Sequence, residues 1–168
     1  MTRIFSVLSL FVILMALTQC RKTTVVTTPE TDAALFAKAT STDFTYYKND
    51  TQVHASSSQS AYSGYFRVRF NAIALSALTD NGKLPAGGTF PQGSLIVKEL
   101  HNDSSGTQLH GYAIMEKLSS DTSQADGWVW SEVNTAGTGY TIHNKGAICT
   151  GCHSVDDRDR VRLFDLFP

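Results

Sequence analysis

The chain has 168 residues, of which 42% are hydrophobic and 17% charged, with a formal net charge of −1. That length fits one domain able to bury its own core. The near-neutral charge argues against nucleic acid or an anionic membrane surface as a partner.

Residues 1–19 read as a secretion signal. Arg3 supplies the positive start, and residues 4–17 are apolar apart from Ser6 and Ser9. The run is short for a transmembrane helix, which needs about 20 apolar residues. LTQC at 17–20 is similar to a bacterial lipobox, with Cys20 as the lipid anchor, although Gln19 stands where a small residue is usual. The competing reading is a signal cut elsewhere or not at all, with Cys20 incidental. The lipoprotein reading is favoured because a lone exported thiol otherwise lacks a purpose.

Residues 20–32 are Thr-rich and aperiodic, as expected of a tether. The folded domain is expected over 33–168. Alanines and Leu35 at 33–39 predict a helix, resuming through Phe44, Tyr46 and Tyr47. Polar residues 49–50 and 56–60 read as loop.

Residues 64–70 (GYFRVRF) alternate, with Phe66, Val68 and Phe70 on one face and Tyr65, Arg67 and Arg69 on the other. This is the pattern of a half-buried antiparallel strand. Residues 71–78 predict a short helix capped by Asn71. Further strands are expected at 94–100, 109–118 and 127–133, separated by turn-rich stretches, the first two pairing antiparallel. No internal repeat is visible. The fold class is α+β: an antiparallel sheet of four to five strands with flanking helices.

The last predicted helix carries CTGCH at 149–153. Cys-x-x-Cys-His is the attachment signature of c-type haem. Cys149 and Cys152 would reach two vinyl groups of one porphyrin, while His153 would coordinate the iron. A zinc site lacks a fourth ligand at suitable spacing, and a thioredoxin-type motif would open a helix in a βαβ unit. Haem c is attached on the exported side of a bacterial membrane, which agrees with the signal. The expected location is therefore the periplasmic side of the cell envelope. No Met follows His153, so any sixth iron ligand must come from upstream. That, with the strand-rich middle, separates the chain from small electron carriers of the mitochondrial type and from four-helix cytochromes c′.

From about Tyr65 to Phe164 the chain resembles the cytochrome P-460 family, which includes cytochrome c′-beta. The resemblance rests on RVRFNAIA at 67–74, FPQGSLIVKE at 90–99, YAIMEK at 112–117, GWVW at 127–130 and CTGCHS at 149–154. It implies a sheet-based α+β domain, usually a homodimer, with one haem whose iron is held from one side and open on the other. In hydroxylamine-oxidising members, a lysine at the place of Lys98 is bonded to the porphyrin. In the c′-beta members there is no such bond, and apolar groups, notably Phe, crowd the open face.

Strand parity puts Lys98 with Ile96 and Leu100, opposite to Leu95, Val97 and Glu99. An inward ammonium needs compensation, which a porphyrin bond, a propionate or a glutamate would give; an edge lysine snorkelling to water is the plain alternative. Phe66 and Phe70 are candidates to cap the haem, or simply core. Arg67 and Arg69 are candidates for the haem propionates, or solvated strand charges. Met115 is expected to fill space rather than bind iron. Trp128 and Trp130 are expected to pack on the haem or the sheet. Any of His54, His101, His110 and His143 could be a distal ligand, with an exposed histidine as the default expectation. Glu116 and Glu132 are candidate proton acceptors.

The function expected is an exported mono-haem c protein that binds nitric oxide or, as an enzyme, oxidises hydroxylamine and passes electrons to an acceptor cytochrome. The alternative is an electron-transfer cytochrome with a sixth iron ligand.

Overall fold

Phe66, Val68 and Phe70 are buried at alternate positions of one strand, and the whole domain is arranged on the two faces that this alternation defines. The structure is a computed structural model that describes residues 31–41, 43–57, 60–118, 125–142, 147–153 and 158–166. The signal, residues 20–30 of the expected tether (Cys20 among them) and His143 lie outside these residues, whereas Asp32, expected to end the tether, already opens the first helix.

In chain order, helix α1 (Asp32–Ser41) is followed by strands β1 (Phe44–Tyr46), β2 (His54–Ala55) and β3 (Tyr65–Asn71), then helix α2 (Ala72–Ser76). Strands β4 (Leu95–His101), β5 (Leu109–Lys117), β6 (Trp128–Asn134) and β7 (Tyr140–Ile142) come next. Helices α3 (Ala147–Cys152) and α4 (Leu163–Leu166) come last among the described residues. The result is an α+β domain around one antiparallel sheet of seven strands in the order β1-β3-β4-β5-β6-β7, with β2 sharing the β3 edge with β1.

The sheet is larger than the four to five strands expected. Phe44–Tyr46 is a strand, not a resumed helix, because its partners lie across the sheet. Arg69 sits over the Phe44 ring at 4.5 Å and Arg67 over the Tyr46 ring at 4.7 Å, contacts that only pairing with β3 can bring. β2 and β7 were too short for any period to show.

Helix α2 is shorter than the expected 71–78. The Asn71 side chain caps it as expected, accepting from Ala74 N at 2.9 Å, and it also accepts from Leu95 N at 3.0 Å. Such a cap contributes about 1 kcal/mol. The helix tightens at its end, where Ala77 and Leu78 donate to carbonyls three residues back, and it stops there.

Register across the sheet places Val68, Lys98, Ala113 and Glu132 in one row. Their face carries the larger core, with Phe66, Phe70, Ile96, Met115, Trp128 and Trp130 beneath the C-terminal segment. Leu95, Val97, Ile114 and Val133 face the other way and pack against Leu35 and Ala39 of α1. At Gly111 a side chain would place its Cβ against the Val133 carbonyl oxygen, so the close approach of β5 and β6 there requires glycine.

Candidate haem site

The larger core encloses a cavity of about 240 Å³. Its floor is the sheet, through Phe66, Val68, Lys98, Met115, Trp130 and Glu132. The 60–64 loop contributes Ser60, Ala61 and Tyr62 to one wall, and the C-terminal segment brings Cys149, Cys152, His153 and Leu163 to another.

Cys149 and Cys152 lie on α3, where a spacing of three puts both on neighbouring positions of one helical face. Both are free thiols; Cys149 is buried and Cys152 exposed. Burial, and then the charges of Cys152 and Glu132, push the Cys149 thiol above its ordinary value. His153 follows the helix, with its backbone N–H donating to the Cys149 carbonyl at 2.9 Å. Its Nδ1 lies 2.7 Å from the Arg160 carbonyl oxygen. A carbonyl can only accept, so the proton sits on Nδ1 and Nε2 keeps its lone pair. Burial, with the charges of Arg162, Lys98 and Arg160, lowers the imidazole pKa, against the opposing pull of the Arg160 carbonyl.

Lys98 reaches the same cavity from β4. Its Nζ lies 3.3 Å from Ser60 Oγ, 4.3 Å from the centre of the Phe66 ring and 4.9 Å from that of Tyr62. Burial lowers its pKa to about 8, which the Glu132 charge partly offsets. Tyr62 Oη donates to Glu132 Oε2 at 2.6 Å. Burial, followed by the hydrogen bond and charge of Glu132, holds that phenol well above its usual range. Tyr62 went unnoticed in the sequence. Its one signal was an aromatic residue standing in a Ser-rich loop.

The other candidates are divided by the sheet. Glu116 is on the far face, where Lys38 Nζ donates to both its oxygens at 2.8 and 2.9 Å. Arg67 and Arg69 are also on the far face, gathered on Glu99, and Arg67 donates in addition to the Thr51 carbonyl. The alternation that makes β3 amphipathic therefore turns Arg67 away from the cavity. Phe70 shares the cavity face but lies in the core between Tyr47 and Phe90, outside the lining. Met115 and Trp130 do line it. His110 is exposed and His54 is paired with Asp50 at 2.9 Å. His101, expected to be exposed, is 2% exposed because it ends a strand buried on both faces.

The lining suits a porphyrin. Both thiols and a histidine with a free Nε2 converge on an apolar cavity. The Trp130 indole N–H is buried with no hydrogen-bond partner among the described residues, and an acceptor carried by a bound group would satisfy it. Among the described residues no cluster of three His, Cys, Asp or Glu side chains could hold a bare metal ion. The site is thus that of a haem protein with protein thiols and one imidazole on the same side.

The comparison with known families agrees. The model described as Cytochrome P460 matches residues 44–162, most of the chain. The chain belongs to the cytochrome P460 family, and its cofactor is haem. No curated protein matches it.

Proposed function

We propose that this protein carries one covalently attached haem c and uses it to bind or oxidise a small nitrogen compound, nitric oxide or hydroxylamine. The observation that carries this reading is the convergence of Cys149, Cys152 and His153 with Lys98, Tyr62 and Glu132 on one cavity. Cys149 and Cys152 would form the thioethers, and His153 Nε2 would be the single protein ligand to iron. When bound, the haem supplies an iron that takes a small ligand and exchanges electrons.

The chain's own residues supply the rest. Apolar side chains around the cavity exclude water, which strengthens every electrostatic contact within it. Glu132, steadied by the Tyr62 hydroxyl, is placed to receive a proton from a nitrogen substrate. Lys98 is placed for the porphyrin bond that the family's hydroxylamine-oxidising members make. Without that bond it remains a cation facing the ligand. The protein would act at the periplasmic side of the envelope, anchored by a lipid on Cys20, as a homodimer passing electrons to a cytochrome.

Absorption spectra of the purified holoprotein, oxidised and reduced, with and without nitric oxide or hydroxylamine, test the proposal. A high-spin resting spectrum that changes on addition of either compound is expected. Hydroxylamine-dependent reduction of an acceptor separates the enzyme from the binding protein. A six-coordinate low-spin spectrum indifferent to both compounds would overturn the proposal in favour of electron transfer, with Met115 of the cavity lining as a candidate sixth ligand.

A further inference from the structure

The carbonyl that orients His153 belongs to a turn that a buried ion pair ties to β5, far from the haem motif in sequence. Asp159 and Arg160 are consecutive non-glycine residues in the left-handed region, at φ 53° and 68°. Such backbone is costly and persists only where its surroundings over-determine it. Here they do. Lys117 Nζ donates to Asp159 Oδ1 at 2.8 Å and to Oδ2 at 3.0 Å, and Phe90 N donates to Oδ2 at 2.7 Å. Lys117 also donates to the Asp126 carbonyl, while the Asp126 carboxylate accepts from Arg160 Nε. Lys117 is 2% exposed and Asp159 9%. Lys117 lies at the end of β5, tied by its backbone to Gly93 and Ser94.

We infer that the Lys117–Asp159 pair is a positioning device for the axial ligand, acting through the Arg160 carbonyl on His153 Nδ1. The strained turn aims one carbonyl oxygen at one ring nitrogen, 2.7 Å away, while its side chains reach Phe90 N and Asp126 and the Arg160 guanidinium lies 3.5 Å from the His153 carbonyl oxygen. A firm Nδ1–H···O bond makes Nε2 a stronger donor to iron and fixes the ring's orientation. A looser turn would weaken both. The buried pair thus sets how tightly iron is held from the His153 side, and thereby its reduction potential and its preference for one axial ligand or two. The inference rests on His153 being the iron ligand.

The test uses the full holoprotein. Replacing both partners, Lys117→Met with Asp159→Asn, removes the charge pair without leaving a lone buried charge. Three readouts apply: the iron–histidine stretching band of the reduced protein, its reduction potential, and solvent exchange of the His153 Nδ1 proton in the ferric cyanide adduct. The band should move to lower frequency, the potential should rise, and exchange should quicken about tenfold, the scale of one lost hydrogen bond. Lys117→Gln, which keeps a donor to Asp159, should shift all three in the same direction by less. Native readouts in both variants would overturn the inference. So would loss of folding in both, which would make the pair a plain stability element. A wild-type protein that attaches no haem would instead overturn the proposed function.

Discussion

Tyr62 Oη donates a 2.6 Å hydrogen bond to Glu132 Oε2, joining a loop to a strand across 70 positions of chain. A hydrogen bond to a charged group that is shielded from water is worth more than an exposed one, on the order of 2 kcal/mol. Tyr62→Phe should therefore lower the unfolding free energy by about that amount, as read from urea denaturation. Glu132→Gln removes the charge that helps hold the phenol protonated. Its tyrosinate absorbance titration should gain a group titrating at lower pH than in the wild type. Superimposable titrations would show that the two side chains are not coupled.

Lys98 makes a pH-dependent prediction. In a Cys149→Ser, Cys152→Ser background, which attaches no haem, the folded-state pKa of about 8 lies below the ordinary 10.5. Between these values the unfolded chain binds more protons than the folded one, so stability rises with pH across that window. Below pH 8 the full cost of the buried ammonium is present, on the order of 3 kcal/mol. Lys98→Met in the same background should raise stability most at pH 7, with the advantage fading as pH passes 8 and approaches 10.5. An advantage independent of pH would mean that Lys98 stays hydrated.

In the holoprotein the same residue reports on chemistry. If Lys98 bonds to the porphyrin, the Soret band is red-shifted and remains so after denaturation, and Lys98→Ala restores an ordinary haem c spectrum. A wild-type spectrum identical to that of Lys98→Ala would rule the bond out.

The two thiols predict a mass. Wild-type protein should carry a single haem that resists acid–acetone extraction. Cys149→Ala with Cys152→Ala should release it completely, and each single variant should keep one thioether. Covalent haem surviving the double change would end the assignment of the motif.

The far face supplies a contrast. Glu99 is 4% exposed and is compensated by Arg67 and Arg69. Taking away one partner of a buried charge costs about 3–5 kcal/mol, less where, as here, a second arginine remains. Arg67→Ala should therefore lower thermal stability while leaving the haem spectrum untouched. A spectral change comparable to that of Lys98→Ala would place Arg67 at the haem after all.

By itself, the sequence determined whatever depends on local pattern. Alternation in 64–70 declared a strand and the faces of Phe66 and Arg67, and parity put Lys98 with Ile96 and Leu100, though only the register of β3 and β4 made that the Phe66 side. The Asn71 cap and the four longer strands were legible for the same reason: a side chain's direction follows from the period of its own element. The spacing of Cys149, Cys152 and His153 announced the cofactor because the chemistry is confined to one turn of helix. What lies on each face is another matter. β1 became a strand only because β3 offered it an edge and two arginines. Glu116 and Glu132 had equal standing in the sequence, and only the register of β5 and β6 sent one to Lys38 and the other to Tyr62. The support of His153 had no sequence signal whatever. It is a backbone carbonyl, aimed by a turn that a lysine 42 positions from Asp159 holds in place, and such a contact exists only once the sheet has brought the two segments together.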